Sequence, residues 1–281
     1  RERDRIDGLR VLWIEACMLT PDQDSGSLRT WRLLGLLQEL GCKVTFMADN
    51  LQAPAPYADQ LRQLGIEVQS APHTLTVSDY LDREAANQDV IVLCRHYIAI
   101  RYVDQIRRLA PQAQLIFDTI DLHYLRLRRK AELDHSPATR TEAELAYREE
   151  LSVAERSDIT LVVSDIEARE LARERPHARV EILSNVHDPS EEVAPLAGRA
   201  HLLFVGGFQH PPTVDAVEFY ARDIWPAFQQ AHPGVKTYIV GSRMPAALRR
   251  LGEAAGLEML GYVADLQPLL AGCRLSVTPL R

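Results

Sequence analysis

The sequence predicts an α/β protein built from two parallel-sheet domains. Three observations carry that expectation. Short β-branched apolar runs recur along the chain, amphipathic helical stretches separate them, and a Pro-, Ser-, Glu- and Gly-rich break between Asn185 and Arg199 interrupts the alternation before it resumes at His201. With 281 residues, 46% of them hydrophobic, the chain is long enough for two cores. The expected organisation is an N-terminal domain over 1–188, a linker over 189–199 and a second domain over 200–281.

Taken in order, Arg10 to Ala16 reads as a buried strand. The polar loop Thr20 to Gly26 follows it, and then an amphipathic helix from about Leu28 to Leu40 that Gly41 ends. Val44 to Ala48 starts the next strand, completing a βαβ unit. The alternation continues through a helix near Tyr57 to Leu64 and strands at Ile66 to Gln69 and Val90 to Cys94. A helix near Val103 to Leu109 and a strand at Leu115 to Asp118 come next. From Ala131 to Arg156 the chain is charged and helix-favouring, and its glutamates, Glu150 among them, read as a solvated face. A strand at Ile159 to Val163, a helix over Asp165 to Arg173 with Ser164 as its N-cap, and a short strand at Val180 to Leu183 close the first series. In the second series, strands are expected near Leu203, Ile239, Met259 and Val277.

Composition removes several function classes. A net charge of −7 argues against a nucleic-acid surface, leaving the basic run Arg126 to Lys130 as a local anion contact at most. No apolar run reaches the roughly 18 to 20 residues that span a bilayer, and no signal-type apolar core follows Arg1-Glu-Arg-Asp-Arg5. A cytoplasmic chain is expected, compatible with peripheral attachment to a membrane. Cys17, Cys42, Cys94 and Cys273 are scattered and read as buried thiols, and no His or Cys spacing marks a metal site.

In open α/β sheets ligands bind beyond the carboxyl ends of the strands, so the loops there are where chemistry is expected. In the first, Asp24, Ser25 and Gly26 precede a helix whose backbone N–H groups suit an anion or sugar oxygen, and Asp24 or Ser25 equally suits a plain cap. Asp22 and Asp24 also spell the Asp-x-Asp that holds a metal in some transferases, but a capping loop explains them more simply and no metal is assigned. In the second loop, Asp118-Thr-Ile-Asp-Leu-His123 sets two carboxylates and an imidazole within six residues. Asp121 and His123 there suit sugar binding or proton transfer, against the plainer alternative of a capping Asp beside a structural His. Val163-Ser-Asp165 reads as a helix cap, and Leu183 to Asp188 as a cleft-facing loop or a turn. In the second domain, Gly206 and Gly207 follow one strand, Arg243 lies two residues beyond Gly241, and Arg281 follows Pro279. Glycine at a strand end with arginine nearby suits a nucleoside diphosphate. No Gly-x-Gly-x-x-Gly follows any strand, which counts against NAD or FAD as ligand, and neither a Walker loop nor a Gly-x-Ser-x-Gly turn appears.

The run Phe204-Val-Gly-Gly-Phe-Gln-His-Pro-Pro-Thr-Val-Asp-Ala-Val217, then Tyr238-Ile-Val-Gly241, Gly261-Tyr-Val-Ala-Asp265 and Val277-Thr-Pro-Leu-Arg281, resembles the donor half of a GT-B glycosyltransferase of the retaining, GT4-like group (glycosyltransferase group 1). Pro21 to Gly26, Val163-Ser164 and Leu183-Ser-Asn185 are similar to that family's landmarks in its other half. The resemblance implies two Rossmann-like domains, a nucleotide-sugar donor held mainly by the second, and a glycan or lipid-linked acceptor on the first. It implies retention at the anomeric carbon, with no metal and no cofactor besides the donor. By position it puts Gly206 and Gly207 against the diphosphate or sugar, Tyr262 and Val263 near the nucleobase, and Gly26 near the transferred group. Leu280 and Arg281 would complete the donor site, and His123 would contact the sugar. Where many relatives carry a basic residue after the first strand of this half, Gln209 and His210 stand here, so the phosphate clamp is expected from Arg243 and Arg281. The family's acidic pair, Glu-x7-Glu, would lie after Arg281, so the second domain is expected to be incomplete at its C-terminus. A nucleotide-sugar epimerase of the same fold and a non-catalytic GT-B-like binding module are the alternatives.

Overall fold

A computed structural model describes residues 8–187 and 195–280. Most of the expected 189–199 linker, and Arg281, lie outside the described residues. The chain divides into two compact units, one formed by Arg1–Thr20 with Gly26–His187 and the other by Pro21–Ser25 with Asp188–Arg281.

The elements of the first unit are, in order, β1 (Arg10–Glu15), α1 (Ser25–Glu39), β2 (Lys43–Ala48), α2 (Tyr57–Gln63), β3 (Glu67–Gln69), α3 (Val77–Glu84), β4 (Val90–Cys94), α4 (His96–Leu109), β5 (Gln114–Asp118), α5 (His123–Asp134), α6 (Pro137–Arg156), β6 (Ile159–Val162), α7 (Asp165–Glu174) and β7 (Val180–Ile182). The seven strands form one sheet in the order β3-β2-β1-β4-β5-β6-β7. Every pairing is parallel. A sheet covered on both faces demands strands that are apolar on both sides, and β1 meets the demand: Val11 and Trp13 enter one core with Phe46, Val92 and Leu34, while Leu12 and Ile14 enter the other with Leu93, Phe117 and Val103.

Three local differences from the sequence reading bear on function. Helix α4 begins at His96, seven residues earlier than expected, because Arg95 takes a left-handed φ of 67° that turns the chain directly from β4 into the helix. The charged stretch after Ala131 is two helices: His135 ends α5 in the left-handed conformation, Ser136 caps α6 through Thr139 N, and Pro137 opens it. Helix α3 is additional, and Thr76 caps it. Cys17 is exposed and Cys42 half-buried, so only Cys94 and Cys273 are the buried thiols expected.

The second unit contains β8 (Leu202–Val205), α8 (Pro211–Phe219), a π-helical turn at Tyr220–Ile224, α9 (Trp225–Ala231), β9 (Thr237–Val240), α10 (Ala246–Ala254), β10 (Glu258–Gly261), α11 (Gln267–Gly272) and β11 (Leu275–Ser276). Its four strands are parallel, in the order β10-β9-β8-β11. Leu202, Phe204, Ile239 and Met259 pack on the α8, α9 and α10 side with Val217, Trp225 and Leu248, and Leu203 and Val240 pack with Cys273 on the other. Among the described residues no helix is long and apolar enough to cross a membrane.

Candidate functional site

Strand order locates the crevice in each unit. In the first sheet the order reverses between β1 and β4, and in the second between β8 and β11. At such switch points neighbouring loops leave in opposite directions and open a ligand-sized gap at the carboxyl edge.

At the β1/β4 point, Arg95 Nε donates to Glu15 Oε1 at 2.8 Å, and the same oxygen accepts Ala16 N. Burial works against the Arg95 charge, but Glu15 outweighs it and the guanidinium pKa rises, so the cation is fixed. One strand further, Arg29 on the first turns of α1 is 1% exposed. It donates from Nη1 to Asp118 Oδ2 at 2.7 Å and from Nε and Nη2 to the carbonyl of Leu183. Burial pushes the Asp118 carboxyl above the usual range, and Arg29 offsets part of that rise. The remaining Asp118 oxygen accepts Ile120 N at 3.2 Å, within a turn where Ile120 has φ 64°. Asp118 is therefore a buried structural carboxylate that ties α1, β5 and the end of β7 together.

That turn delivers Asp121 and His123 to the start of α5. No side chain of the local sequence caps the helix; Leu122 occupies the N-cap position. Two distant carboxylates serve instead. Glu150 of α6 accepts His123 N at 2.9 Å and Tyr124 N at 3.0 Å, and Glu167 of α7 accepts Leu122 N at 3.1 Å and Val163 N at 3.0 Å. Negative charge is favourable at a helix N-terminus, so the two glutamates satisfy the free N–H groups and the helix dipole together. Burial alone would push the Glu150 carboxyl up. The imidazoles of His123 and His96 beside it and the Tyr124 N–H outweigh burial and hold it below the ordinary glutamate range.

The structure thus brings together Asp121 and His123, as the sequence suggests, and adds two residues that sequence reasoning missed. His123 Nδ1 lies 3.1 Å from the carbonyl of Asp121, which can only accept, so this nitrogen is the donor. Asp121 is held by Arg126 at 3.0 Å. His96, the first residue of α4, stacks edge-on to His123 with ring centroids 4.9 Å apart, and Tyr97 stands 5.8 Å from the same ring. Glu150, 0% exposed, corrects the expectation of a solvated face over the whole stretch. The signal for it was present: Ala143, Ala146, Glu150, Val153 and Ala154 are the buried stripe of α6, and a carboxylate on an apolar stripe needs a partner. Ser25 and Gly26 are the first residues of α1, with Asp24 just before it. Gly26 belongs to the first unit, whereas Asp24 and Ser25 group with the second.

In the second unit the loops after β8, β9 and β10 are knitted by backbone bonds. Gly206 N donates to Val240 O, Phe208 N to Ser242 O and Gly241 N to Gly261 O. A Cβ at Gly241 would fall 1.8 Å from Gly206 O, so the close approach requires glycine there. Gly206 and Gly207 precede α8. Arg243 is exposed and has a left-handed φ of 56°. Tyr262 is exposed beyond Gly261, whereas Val263 packs against the core of Leu203, Val240 and Cys273. Leu280 is exposed in the segment after β11, across the switch point from Gly206 and Gly207. Arg281, expected beside it, lies outside the described residues.

Residues 199–281 match the family model "Glycosyl transferases group 1". No curated protein matches the chain. Among solved structures, a mutant of Thermobaculum terrenum O-GlcNAc transferase superposes with a TM-score of 0.54 at 14% identity, over 98% of this chain and 49% of its own. The S. aureus MnaA–UDP co-structure gives 0.51 at 10% identity, over 95% and 74%. A mutant of S. aureus TarM, in complex with fondaparinux, alpha-GlcNAc-glycerol and UDP, gives 0.50 at 12%, over 71% and 38%. The chain spans less than half the length of the TarM and O-GlcNAc transferase chains it matches. With two parallel α/β units the chain has the GT-B fold, and residues 199–281 match the group 1 glycosyl transferase model.

Proposed function

We propose that the protein transfers a sugar from a nucleoside diphosphate donor to a glycan or lipid-linked acceptor, in the cytoplasm, with retention at the anomeric carbon. The observation that carries the reading is the β8/β11 switch point, flanked by Gly206-Gly207 and Leu280 within the segment that matches the group 1 model. The Gly206 N–H is held by Val240 O, so the side-chain-free backbone there lets the Gly207 N–H approach a diphosphate, and Arg243 supplies an exposed cation for the charge that develops on the leaving phosphate. That pairing stabilises the transition state without a metal at the diphosphate. Tyr262 offers a ring to the nucleobase beside Val263, and Leu280 lines the other side. UDP is the first donor base to test, because two of the similar structures hold it.

The loop that opens α1, Asp24, Ser25 and Gly26, receives the transferred group, and on the first unit His123 contacts a sugar hydroxyl through Nε2. The Asp121 carbonyl fixes the ring by its other edge, and Glu150, which accepts the His123 and Tyr124 backbone N–H groups, is a positioning residue. In a front-face transfer the bond from the anomeric carbon to the diphosphate breaks as the acceptor oxygen approaches from the same side, its proton passing to the leaving phosphate oxygen. The test is to incubate the whole protein with a panel of UDP-, GDP- and dTDP-sugars and a lipid-linked acceptor, reading the product by NMR. A product of inverted configuration would overturn the retaining assignment. A new sugar isomer formed without acceptor would favour an epimerase.

A further inference from the structure

The three side chains that meet at the start of α5 come from three different helices: His96 from α4, His123 from α5 and Glu150 from α6. All three are buried, and one ligand atom from each lies within 4.8 Å of the others. His96 Nδ1 is 3.5 Å and His123 Nδ1 3.6 Å from the same oxygen, Glu150 Oε1. Hydrogen bonds from N–H to oxygen fall at about 2.7–3.2 Å, so neither separation is one. A tetrahedral ion with bonds of about 2.0–2.1 Å sets its ligand atoms about 3.4 Å apart, close to the two nitrogen-to-oxygen separations.

Three further features fit an ion. His96 Nδ1 is buried with no hydrogen-bond partner, and a buried polar atom is costly unless something satisfies it. His96 Nε2 faces Glu149 Oε2 at 3.6 Å, the place of the outer carboxylate that orients a metal-bound imidazole. Glu150 Oε1 accepts only His123 N among backbone donors, so one lone pair remains for coordination. From these we infer that His96, His123 and Glu150 bind one divalent cation of the zinc type through Nδ1, Nδ1 and Oε1. Two imidazoles and a carboxylate suit zinc better than magnesium or calcium, which prefer all-oxygen shells. As the ion enters, His123 Nδ1 gives up the proton it directs at Asp121 O and the ring keeps its one proton on Nε2, so the imidazole coordinates as a neutral ligand. Three protein ligands leave a fourth position for water, and His123 Nε2 stays outward. The site lies wholly within the first unit and does not depend on the donor reading.

The experiment strips the whole protein with a chelator, removes the chelator, and titrates in Zn2+ alone against a chromophoric competitor. One ion per chain is expected, with a rise in Tm, and His96→Ala should weaken binding at least tenfold and abolish the Tm rise. Co2+ added to the stripped wild type should give the intense visible bands of a four-coordinate ion, a readout that needs no variant. Absence of stoichiometric binding, of the Co2+ bands, or of any effect of His96→Ala on affinity would overturn the site.

Discussion

Glu150 accepts two consecutive backbone N–H groups and lies between two imidazoles, so its removal affects the fold before it affects any ligand. Glu150→Ala leaves two buried donors without acceptors, and a loss of about 2–4 kcal/mol is expected in urea unfolding. Glu150→Gln keeps one acceptor and should lose less. The sign of the pH effect follows from the depressed folded-state pKa of this carboxyl. Its stabilising contribution is complete above the ordinary glutamate value of 4.5 and is lost as pH falls through the lower folded value. The stability gap between wild type and Glu150→Gln should therefore narrow below about pH 4.5. A gap that stays constant from pH 3 to 7 would show that charge plays no part. Arg29 and Asp118 give a second residue-scale test. Arg29→Met strands a buried carboxylate and should cost about 3–5 kcal/mol, and Asp118→Leu added to it should recover most of that loss.

At the scale of elements, how much was legible depended on the range of the interaction that fixes each one. Strands such as Val90–Cys94 and helices such as Tyr57–Gln63 were readable because alternation and helical periodicity are local properties. Ser164 was readable as a cap because its partner, Glu167 N, is three residues away. The start of α5 was not, because its caps come from Glu150 and Glu167, 27 and 45 residues along the chain. The early start of α4 was hidden by Arg95, a non-glycine residue in a left-handed conformation held where its side chain pairs with Glu15. His96 went unrecognised for the same reason, and Glu150 because helical glutamates are usually solvated. Glycine contexts supply an element-scale prediction. Gly241→Ala drives a methyl into Gly206 O and should cost at least about 2 kcal/mol in the second unit. Gly35→Ala, inside α1 with nothing within 4 Å, should add about 0.5–1 kcal/mol. Thermal unfolding of both variants checks the pair, and equal effects would contradict the geometry.

For the whole molecule, the first unit presents a charge-paired carboxyl edge and the second a glycine-lined switch point. Hydrogen exchange with and without a nucleoside diphosphate should show protection concentrated at 205–208, 241–244 and 261–263, since those loops are joined by Gly206, Phe208 and Gly241 N–H bonds. Protection confined to the α5 start would instead put the nucleotide on the first unit. The central claim, that the second unit holds a nucleotide-sugar donor, is tested most directly by calorimetric titration of the whole protein with UDP, GDP and dTDP. Saturable one-to-one binding of at least one of them, weakened about tenfold by Arg243→Ala, is the predicted result. Absence of binding to all three would contradict it.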